Sequence, residues 1–185
     1  MSTLTVKRLL FDVPQMARMM RRMALEVVER AGGTDSLMLV GVRTRGVPLA
    51  DFIAAEIKRT EGVAVPVGVL DITLYRDDLS TIAPQPVVKE SVMPVAIDDR
   101  IVVLCDDVLY SGRTIRAAMD ALIMDYGRPR AIRLAVLIDR GHRELPIHAD
   151  CVGEHVQTTD TEVIKVSYAA TDGGKEMVEL LEREG

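Results

Sequence analysis

The sequence predicts an α/β domain in which helices cover both faces of a parallel sheet. Apolar segments of strand length alternate along the chain with segments of helical periodicity, an order typical of such sheets. The chain has 185 residues, of which 48% are hydrophobic and 28% charged, enough for one domain with a full core. We therefore expect a single domain over residues 1–185.

Local signals define the elements of the first half. Asp12 can cap a helix whose first turn holds Pro14, and Gln15 can complete a capping box. Methionines then recur at helical spacing as far as the Gly32-Gly33 pair, and we interpret them as core or subunit interface rather than as a ligand site. Three elements come next: a strand over 37–42, a helix from Pro48 and a strand over 65–75.

The second half begins with an irregular segment. Residues 76–99 carry three prolines and no steady period, so we expect a flexible β-arm, over about 71–99, that lies across the domain. Regular elements resume after it: a strand over 101–105, a helix over 114–124 and strands over 133–138, 149–152 and 163–168. The tail 175–182 fits either a helix or an edge strand.

The stretch 101–114 carries the strongest chemical signal. Its apolar run ends in Asp106 and Asp107, and a loop of small and hydroxyl residues then leads into a helix. Open α/β sheets bind ligands at the carboxyl ends of their strands, and backbone N–H groups before a helix can bind a phosphate. Acids beside such a loop indicate a sugar phosphate, with a solvated acidic turn as the alternative.

This stretch resembles the phosphoribosylpyrophosphate (PRPP) motif of the type I phosphoribosyltransferases. The resemblance implies that the chain has the type I phosphoribosyltransferase domain as its fold. It also implies that Asp106 and Asp107 bind the ribose 2′ and 3′ hydroxyls, and that the following loop binds the 5′-phosphate. The implied PRPP loop comprises Val108, Leu109, Tyr110, Ser111, Gly112, Arg113 and Thr114.

The turn 41–46 is a second candidate anion site, because it places two arginines between glycines. Taken alone, such a turn is more often a solvated basic loop. In the family this position is the pyrophosphate loop, often with a strained peptide, and the resemblance implies PRPP contacts from Thr44, Arg45 and Gly46.

The segment 71–79 resembles the mobile catalytic arm of the family, which closes over bound PRPP and excludes water. The resemblance implies that Arg76 reaches the pyrophosphate. We interpret Asp77 and Asp78 as solvated. Read without the family, the same segment is a strand that runs into a charged turn.

The segment 138–147 follows a strand and crowds charged residues around one glycine. The resemblance places a small base-binding hood over about 138–160. Uracil offers two carbonyl acceptors and an N–H donor, which a loop backbone can match. We assign Ile138, Asp139 and Arg140 to uracil binding.

Together, the runs 71–79, 106–114 and 139–146 resemble one subfamily, the bacterial pyrimidine-operon attenuation regulators that are also uracil phosphoribosyltransferases. The resemblance implies that uracil N1 displaces pyrophosphate at C1′ of PRPP and that UMP forms. It implies Mg²⁺ as the cofactor, held mainly by PRPP rather than by a dedicated protein site, with Asp106 and Asp107 as candidate contacts. The implied catalytic residues are Arg45, Arg76, Asp106 and Asp107.

The resemblance further implies UMP-favoured binding to a pyrimidine mRNA leader, and thus transcription attenuation. The implied RNA-binding residues are Arg18, Arg21, Arg22 and Arg143, with Arg130 as an addition and a solvated helix face as the alternative. Three positions depart from the family: Leu25 replaces a histidine, His148 an arginine and Glu154 a lysine. An acid beside a phosphate backbone should weaken binding.

Composition narrows the remaining possibilities. A net charge of −5 argues against a protein that coats nucleic acid, and we expect no DNA partner. The sequence shows no membrane-length apolar run and no signal peptide, so we expect a cytoplasmic location without membrane contact. Cys105 and Cys151 read as small buried hydrophobes. A homodimer or higher homo-oligomer is expected by resemblance. Two alternatives stay open: a uracil phosphoribosyltransferase without an RNA role, and a purine-salvage phosphoribosyltransferase.

Overall fold

The structure is a computed structural model, and it describes residues 3–77 and 89–183. Its regular elements follow one another in the order β1 (Leu4–Phe11), α1 (Val13–Ala31), β2 (Leu37–Val42), α2 (Gly46–Glu61), β3 (Val67–Leu70), a 3-10 turn (Thr73–Tyr75), β4 (Ile101–Leu109), α3 (Arg113–Tyr126), β5 (Ala131–Asp139), β6 (Cys151–His155), β7 (Glu162–Ser167) and β8 (Met177–Arg183).

A five-stranded parallel sheet, in the order β3-β2-β4-β5-β6, forms the centre of the fold. Strand β2 is buried along its whole length, as expected for a strand covered on both faces. Helices α1 and α2 pack in the core cluster on one face, and α3 packs in the cluster on the other. The predicted parallel sheet with helices on both faces is thereby confirmed.

Helix α1 begins as the sequence predicts. Gln15 N–H donates to Asp12 Oδ1 at 2.9 Å, and Asp12 N–H donates to Gln15 Oε1 at 2.9 Å, so the capping box is complete. The predicted methionine stripe lies in the core, where Met16 and Met20 are at most 1% exposed. The helix ends at Gly32, whose φ of 72° suits a residue without a side chain.

The ends of β4 and β3 differ most from the prediction. Strand β4 continues past the predicted end at residue 105 as far as Leu109, because it pairs with β5 through Leu109 and Asp139. Strand β3 ends at Leu70 instead of residue 75. The Asp71 carboxylate there accepts hydrogen bonds from the N–H groups of Thr73 and Lys89, at 2.7 and 2.9 Å, and such bonds favour a turn over a strand. Much of the predicted arm lies outside the described residues.

A second, antiparallel sheet joins the two ends of the chain in the order β1-β8-β7. The sequence analysis missed β1, whose apolar residues Leu4, Val6 and Leu9 are exposed and give no clean core pattern. The ambiguous tail is the central strand of this sheet. Within the range of the expected hood, about 138–160, strand β6 pairs with β5 and extends the parallel sheet. No helix in the described ranges is long and apolar enough to cross a membrane.

Candidate active site

The predicted acid pair lies near the carboxyl end of the central strand β4. Asp106 is 7% exposed, and its Oδ1 accepts the N–H of Asp107 at 2.9 Å. Asp107 Oδ1 accepts the N–H of Val108 at 2.9 Å. Burial and the neighbouring Asp107 carboxylate raise the pKa of Asp106 well above its usual range, and burial also raises the pKa of Asp107. Two desolvated carboxylates at a sheet edge are the kind of pair that a cationic or hydroxyl-bearing ligand stabilises.

The loop after the acid pair is shorter than the sequence predicted. Val108 and Leu109 are the last residues of β4 and pair with Ile138 and Asp139. The turn into α3 therefore consists of Tyr110, Ser111 and Gly112. Gly112 is the N-cap residue of α3 and has a φ of 92°. As a glycine it has no side chain that could cap the helix. The start of α3 thus lies directly beyond the acid pair, the place where a helix N-terminus attracts a phosphate.

The Arg113 side chain is committed to ion pairs. Its guanidinium contacts Asp77 at 2.5 Å and Glu144 at 2.6 Å. The expectation that Asp77 is only solvated is therefore wrong, and Asp78 lies outside the described residues. Arg76 is exposed and follows the 3-10 turn at the base of the arm. The Arg113 contacts hold this base against the first turn of α3.

The predicted pyrophosphate loop follows β2, the neighbour of β4 in the sheet. The peptide bond between Arg43 and Thr44 is cis. Gly46 begins α2 and approaches β4 so closely that an added Cβ would lie 2.1 Å from the Cys105 carbonyl oxygen. The Nε groups of Arg43 and Arg45 are buried and have no hydrogen-bond partner among the described residues. Buried donors without a partner are rare in folded proteins, and here two arginines of one loop carry them, which marks this loop as a candidate anion site.

Sequence reasoning missed two residues of the turn between β7 and β8. Arg45 Nη2 contacts Asp172 Oδ1 at 2.9 Å, and this hydrogen bond holds the pKa of Asp172 well below its usual range. The Tyr168 hydroxyl is buried without a partner among the described residues, and burial and the carboxylates of Asp107 and Asp106 raise its pKa. The only local signal was the Gly-Gly turn just after Asp172.

The three predicted uracil-binding residues lie beside the phosphate loop, but their polar groups are largely used. Ile138 is fully buried within β5. The Asp139 carboxylate contacts Arg143 at 2.5 Å. Arg140 donates to Thr158 Oγ1 at 3.0 Å, and its guanidinium lies 4.1 Å from the centre of the Tyr110 ring. Asp139 and Arg140 thus lie beside the turn into α3, while Ile138 belongs to the core.

The predicted RNA-binding residues divide into two groups. Arg18, Arg21 and Arg22 are exposed on α1, although Arg22 Nη2 also donates to the carbonyls of Val152 and Gly153. Arg143, by contrast, is folded into the loop after β5. The three positions that differ from the family pattern lie near the first group. Leu25 is exposed on α1. His148 and Glu154 line an open pocket of about 590 Å³ together with Arg22.

A magnesium ion that PRPP itself carries fits this site. Among the described residues there is no group of three or more histidine, cysteine, aspartate or glutamate side chains that could hold a metal. The acid pair supplies two buried carboxylates, and oxygen ligands are what Mg²⁺ prefers. The donor set therefore suits a metal bound mainly by substrate oxygens and waters.

Comparison with known proteins gives the class. The chain matches the family model described as the phosphoribosyl transferase domain over residues 9–171, and it therefore belongs to that family. Solved structures agree on the fold. The hypoxanthine phosphoribosyltransferase of Trypanosoma cruzi superposes with a TM-score of 0.72 at 14% identity, covering 97% of this chain and 98% of that one. A hypoxanthine-guanine phosphoribosyltransferase from Bacillus anthracis gives 0.70 at 18% identity, covering 97% and 99%.

Curated relatives are much more similar in sequence, and the three that follow carry the name Bifunctional protein PyrR. The protein from Pelotomaculum thermopropionicum is 56% identical, covering 94% of this chain and 96% of its own. That from Thermus thermophilus is 57% identical, covering 95% and 96%. That from Deinococcus radiodurans is 52% identical, covering 96% of each chain.

Proposed function

We propose that this chain is a bifunctional regulator of pyrimidine biosynthesis, which transfers phosphoribose from PRPP to uracil and binds a pyrimidine mRNA leader. The arrangement that carries the enzymatic half is the buried acid pair on β4, placed between the start of α3 and the arginine loop after β2. PRPP carries its 5′-phosphate and its pyrophosphate on opposite sides of the ribose. In the same order, the start of α3 offers a phosphate site, the acid pair offers acceptors for the ribose hydroxyls, and the arginine loop offers a site for the pyrophosphate.

The acid pair acts on the ribose. Asp106 and Asp107 accept hydrogen bonds from the 2′ and 3′ hydroxyls, while the turn from Tyr110 to Gly112 binds the 5′-phosphate with its backbone N–H groups and the start of α3. The 5′-phosphate and the hydroxyls together fix C1′ relative to both reacting groups. Such positioning accounts for a large share of a displacement between two bound substrates.

The arginine loop acts on the leaving group. As uracil N1 attacks C1′, the bond from C1′ to pyrophosphate breaks and the N1 proton is released to water, and the ribose ring carries positive charge in the transition state. Arg45 offers a buried Nε donor to the negative charge that develops on the departing oxygen, and Arg76 adds charge from the arm. Mg²⁺, bound through PRPP oxygens and within reach of the acid pair, would neutralise further charge on the pyrophosphate.

The enzymatic proposal is tested by assaying the purified protein with PRPP, Mg²⁺ and a panel of nucleobases. We expect uracil to yield UMP and pyrophosphate, with hypoxanthine and guanine inactive. Turnover of hypoxanthine in place of uracil would favour the purine-salvage alternative. Arg45→Ala should raise the PRPP requirement, because it removes a charged contact to pyrophosphate; unchanged PRPP kinetics would reject that role.

The RNA half of the proposal rests on α1 and its surroundings. Arg18 and Arg22 line a second shallow pocket together with Glu154. The basic side chains of α1 therefore lie next to the acid that stands where the family has a lysine. An acid at this position repels a phosphate backbone and should lower the affinity for RNA. The proposal therefore predicts weaker leader binding than a lysine at this position would give.

Glu154→Lys tests this surface in gain-of-function form. We expect it to strengthen binding to a pyrimidine leader RNA, with a steeper loss of affinity as salt rises, and UMP to strengthen binding in both proteins. Glu61→Lys, which adds the same charge at the end of α2, serves as the control. Absence of any leader binding at low salt, even by the Glu154→Lys variant, would remove the RNA role and leave a uracil phosphoribosyltransferase alone.

The proposed partners also indicate where in the cell the protein acts. Its proposed partners, a sugar pyrophosphate and a messenger RNA, occur together in the bacterial cytoplasm, and we place the protein there. We further propose a homodimer or higher homo-oligomer, which sedimentation of the purified chain would measure.

A further inference from the structure

One guanidinium, that of Arg143, donates hydrogen bonds to two loops of the site. The first, the phosphate turn, comprises residues 110–112 between β4 and α3. The second, the base loop, comprises residues 140–147 after β5. Arg143 is 18% exposed, and it lies where the two loops meet.

The donors of Arg143 are spread over both loops. Its Nη1 donates to the carbonyl oxygen of Tyr110 at 2.9 Å and to that of Gly141 at 3.1 Å. Its Nε donates to the carbonyl oxygen of Ile147 at 2.9 Å, and its Nη2 donates to Asp139 Oδ2 at 2.5 Å. All three nitrogens of the guanidinium are therefore used, and the acceptors lie just before the base loop, within it and at its last residue, as well as in the phosphate turn.

Other contacts run in parallel with this bridge. The N–H groups of Glu144 and Leu145 donate to the Ser111 carbonyl oxygen at 3.0 and 3.1 Å, and Arg140 N–H donates to the Leu109 carbonyl oxygen at 3.1 Å. Burial alone would raise the pKa of Asp139, but the hydrogen bonds from Arg143 and from Gly141 N–H keep it below its usual value. The carboxylate is thus held as the charged partner of the bridge.

We propose that Arg143 is a positioning residue that couples the nucleobase site to the phosphate site, so that a ligand in one raises affinity in the other. The inference rests on the proposed function for the identity of the two ligands. Because one planar fork bonds both loops, a ligand that orders either loop also orders the acceptors of the other, and such a coupling acts equally in both directions. Arg143 was expected to contact RNA; here its donors face inward.

Lysine at this position keeps the charge but has one ammonium in place of a fork, and it cannot reach four acceptors on two loops. The experiment therefore compares wild type with Arg143→Lys, and uses Arg133→Ala as the matched control. Arg133 lies on β5, the strand that precedes the base loop, and its ion pair with Asp150 is exposed, at 3.4 Å. Asp150 keeps its bond from Leu134 N–H in that variant.

Calorimetry measures the affinity for ribose 5-phosphate with and without saturating uracil. Ribose 5-phosphate lacks the pyrophosphate leaving group of PRPP, so the two ligands do not react with each other. We expect uracil to tighten ribose 5-phosphate binding at least fivefold in wild type and in Arg133→Ala, and less than twofold in Arg143→Lys. Initial rates should show higher KM for both uracil and PRPP in the lysine variant, with a smaller change in kcat. A role in folding alone would lower the active fraction without moving either KM.

Several outcomes would overturn the proposal. It fails if wild type shows no coupling, if Arg143→Lys retains it, or if Arg143→Ala changes only RNA affinity. Should the lysine variant not fold, Asp139→Asn removes the charge on the other side of the bridge and must reduce the coupling. Absence of uracil turnover in wild type would instead reject the proposed function, a result that the rate assay reports separately.

Discussion

Replacing Gly46 by alanine should move the pyrophosphate loop away from the acid pair. The added Cβ would lie 2.1 Å from the Cys105 carbonyl oxygen and 3.2 Å from the Asp106 Cα, both backbone atoms that no side-chain rotation relieves. A carbon–oxygen contact normally needs about 3.3 Å, so the loop or the strand must shift by about 1 Å. A misplacement of that size in a site that works by positioning costs about 100-fold in rate.

The assay is kcat/KM for PRPP in UMP formation, together with thermal unfolding. We expect kcat/KM to fall by about two orders of magnitude and the free energy of unfolding to fall by about 1–3 kcal/mol. Gly62→Ala is the control at the other end of α2. It meets no atom within 4 Å but forces a side chain onto a φ of 72°, so it should cost about 1 kcal/mol without changing PRPP kinetics. Normal PRPP kinetics in Gly46→Ala would refute the argument that this close approach forms the site.

The remaining predictions concern stability and reactivity. Asp106→Asn should abolish most turnover yet stabilise the ligand-free, magnesium-free protein by about 1–2 kcal/mol at neutral pH, because a buried amide is neutral without having to take up a proton. Because its pKa is raised, Asp106 keeps a proton in the folded state at pH values where the unfolded chain has released it. The wild type therefore loses stability as the pH rises from the usual carboxyl pKa to the raised one. Over that pH range, the difference in melting temperature between Asp106→Asn and the wild type must grow. Asp12→Ala should cost about 1 kcal/mol through loss of the capping box while leaving UMP formation unaltered, and an equal loss of activity would contradict a purely local role. Burial raises the pKa of Cys105 and Cys151, so a thiol reagent should label neither in the native protein and both after unfolding.

Much of the fold was predictable because its signals are local. The capping box at Asp12, the methionine spacing of α1 and the apolar run of β4 each occupy a few consecutive residues, and the structure contains all three. The alternation of strands and helices then left a parallel sheet as the expected arrangement. The order of strand, acid pair, loop and helix also predicts that Asp106 and Asp107 lie near the carboxyl end of a strand, as they do in β4.

The antiparallel sheet was not predictable in the same way. Strand β1 exposes several of its apolar residues and pairs with a strand from the opposite end of the chain, so neither segment carries a pattern that identifies its partner. The tail remained ambiguous for the same reason. Pairing between distant strands depends on burial and register, which emerge only when the whole domain is assembled.

The residues that could bind a sugar phosphate are recognisable in the chain, since the acids, the short turn and the arginine loop are each contiguous. How these residues are held depends on contacts between distant parts of the chain. Asp172 accepts a hydrogen bond from Arg45, which lies 127 positions earlier in the chain. Arg143 donates hydrogen bonds to two loops and does not extend into solvent. A charged side chain pairs with whichever opposite charge or carbonyl the fold brings within about 3 Å, and that distance is set by the packing of the sheet and not by the neighbours in the chain.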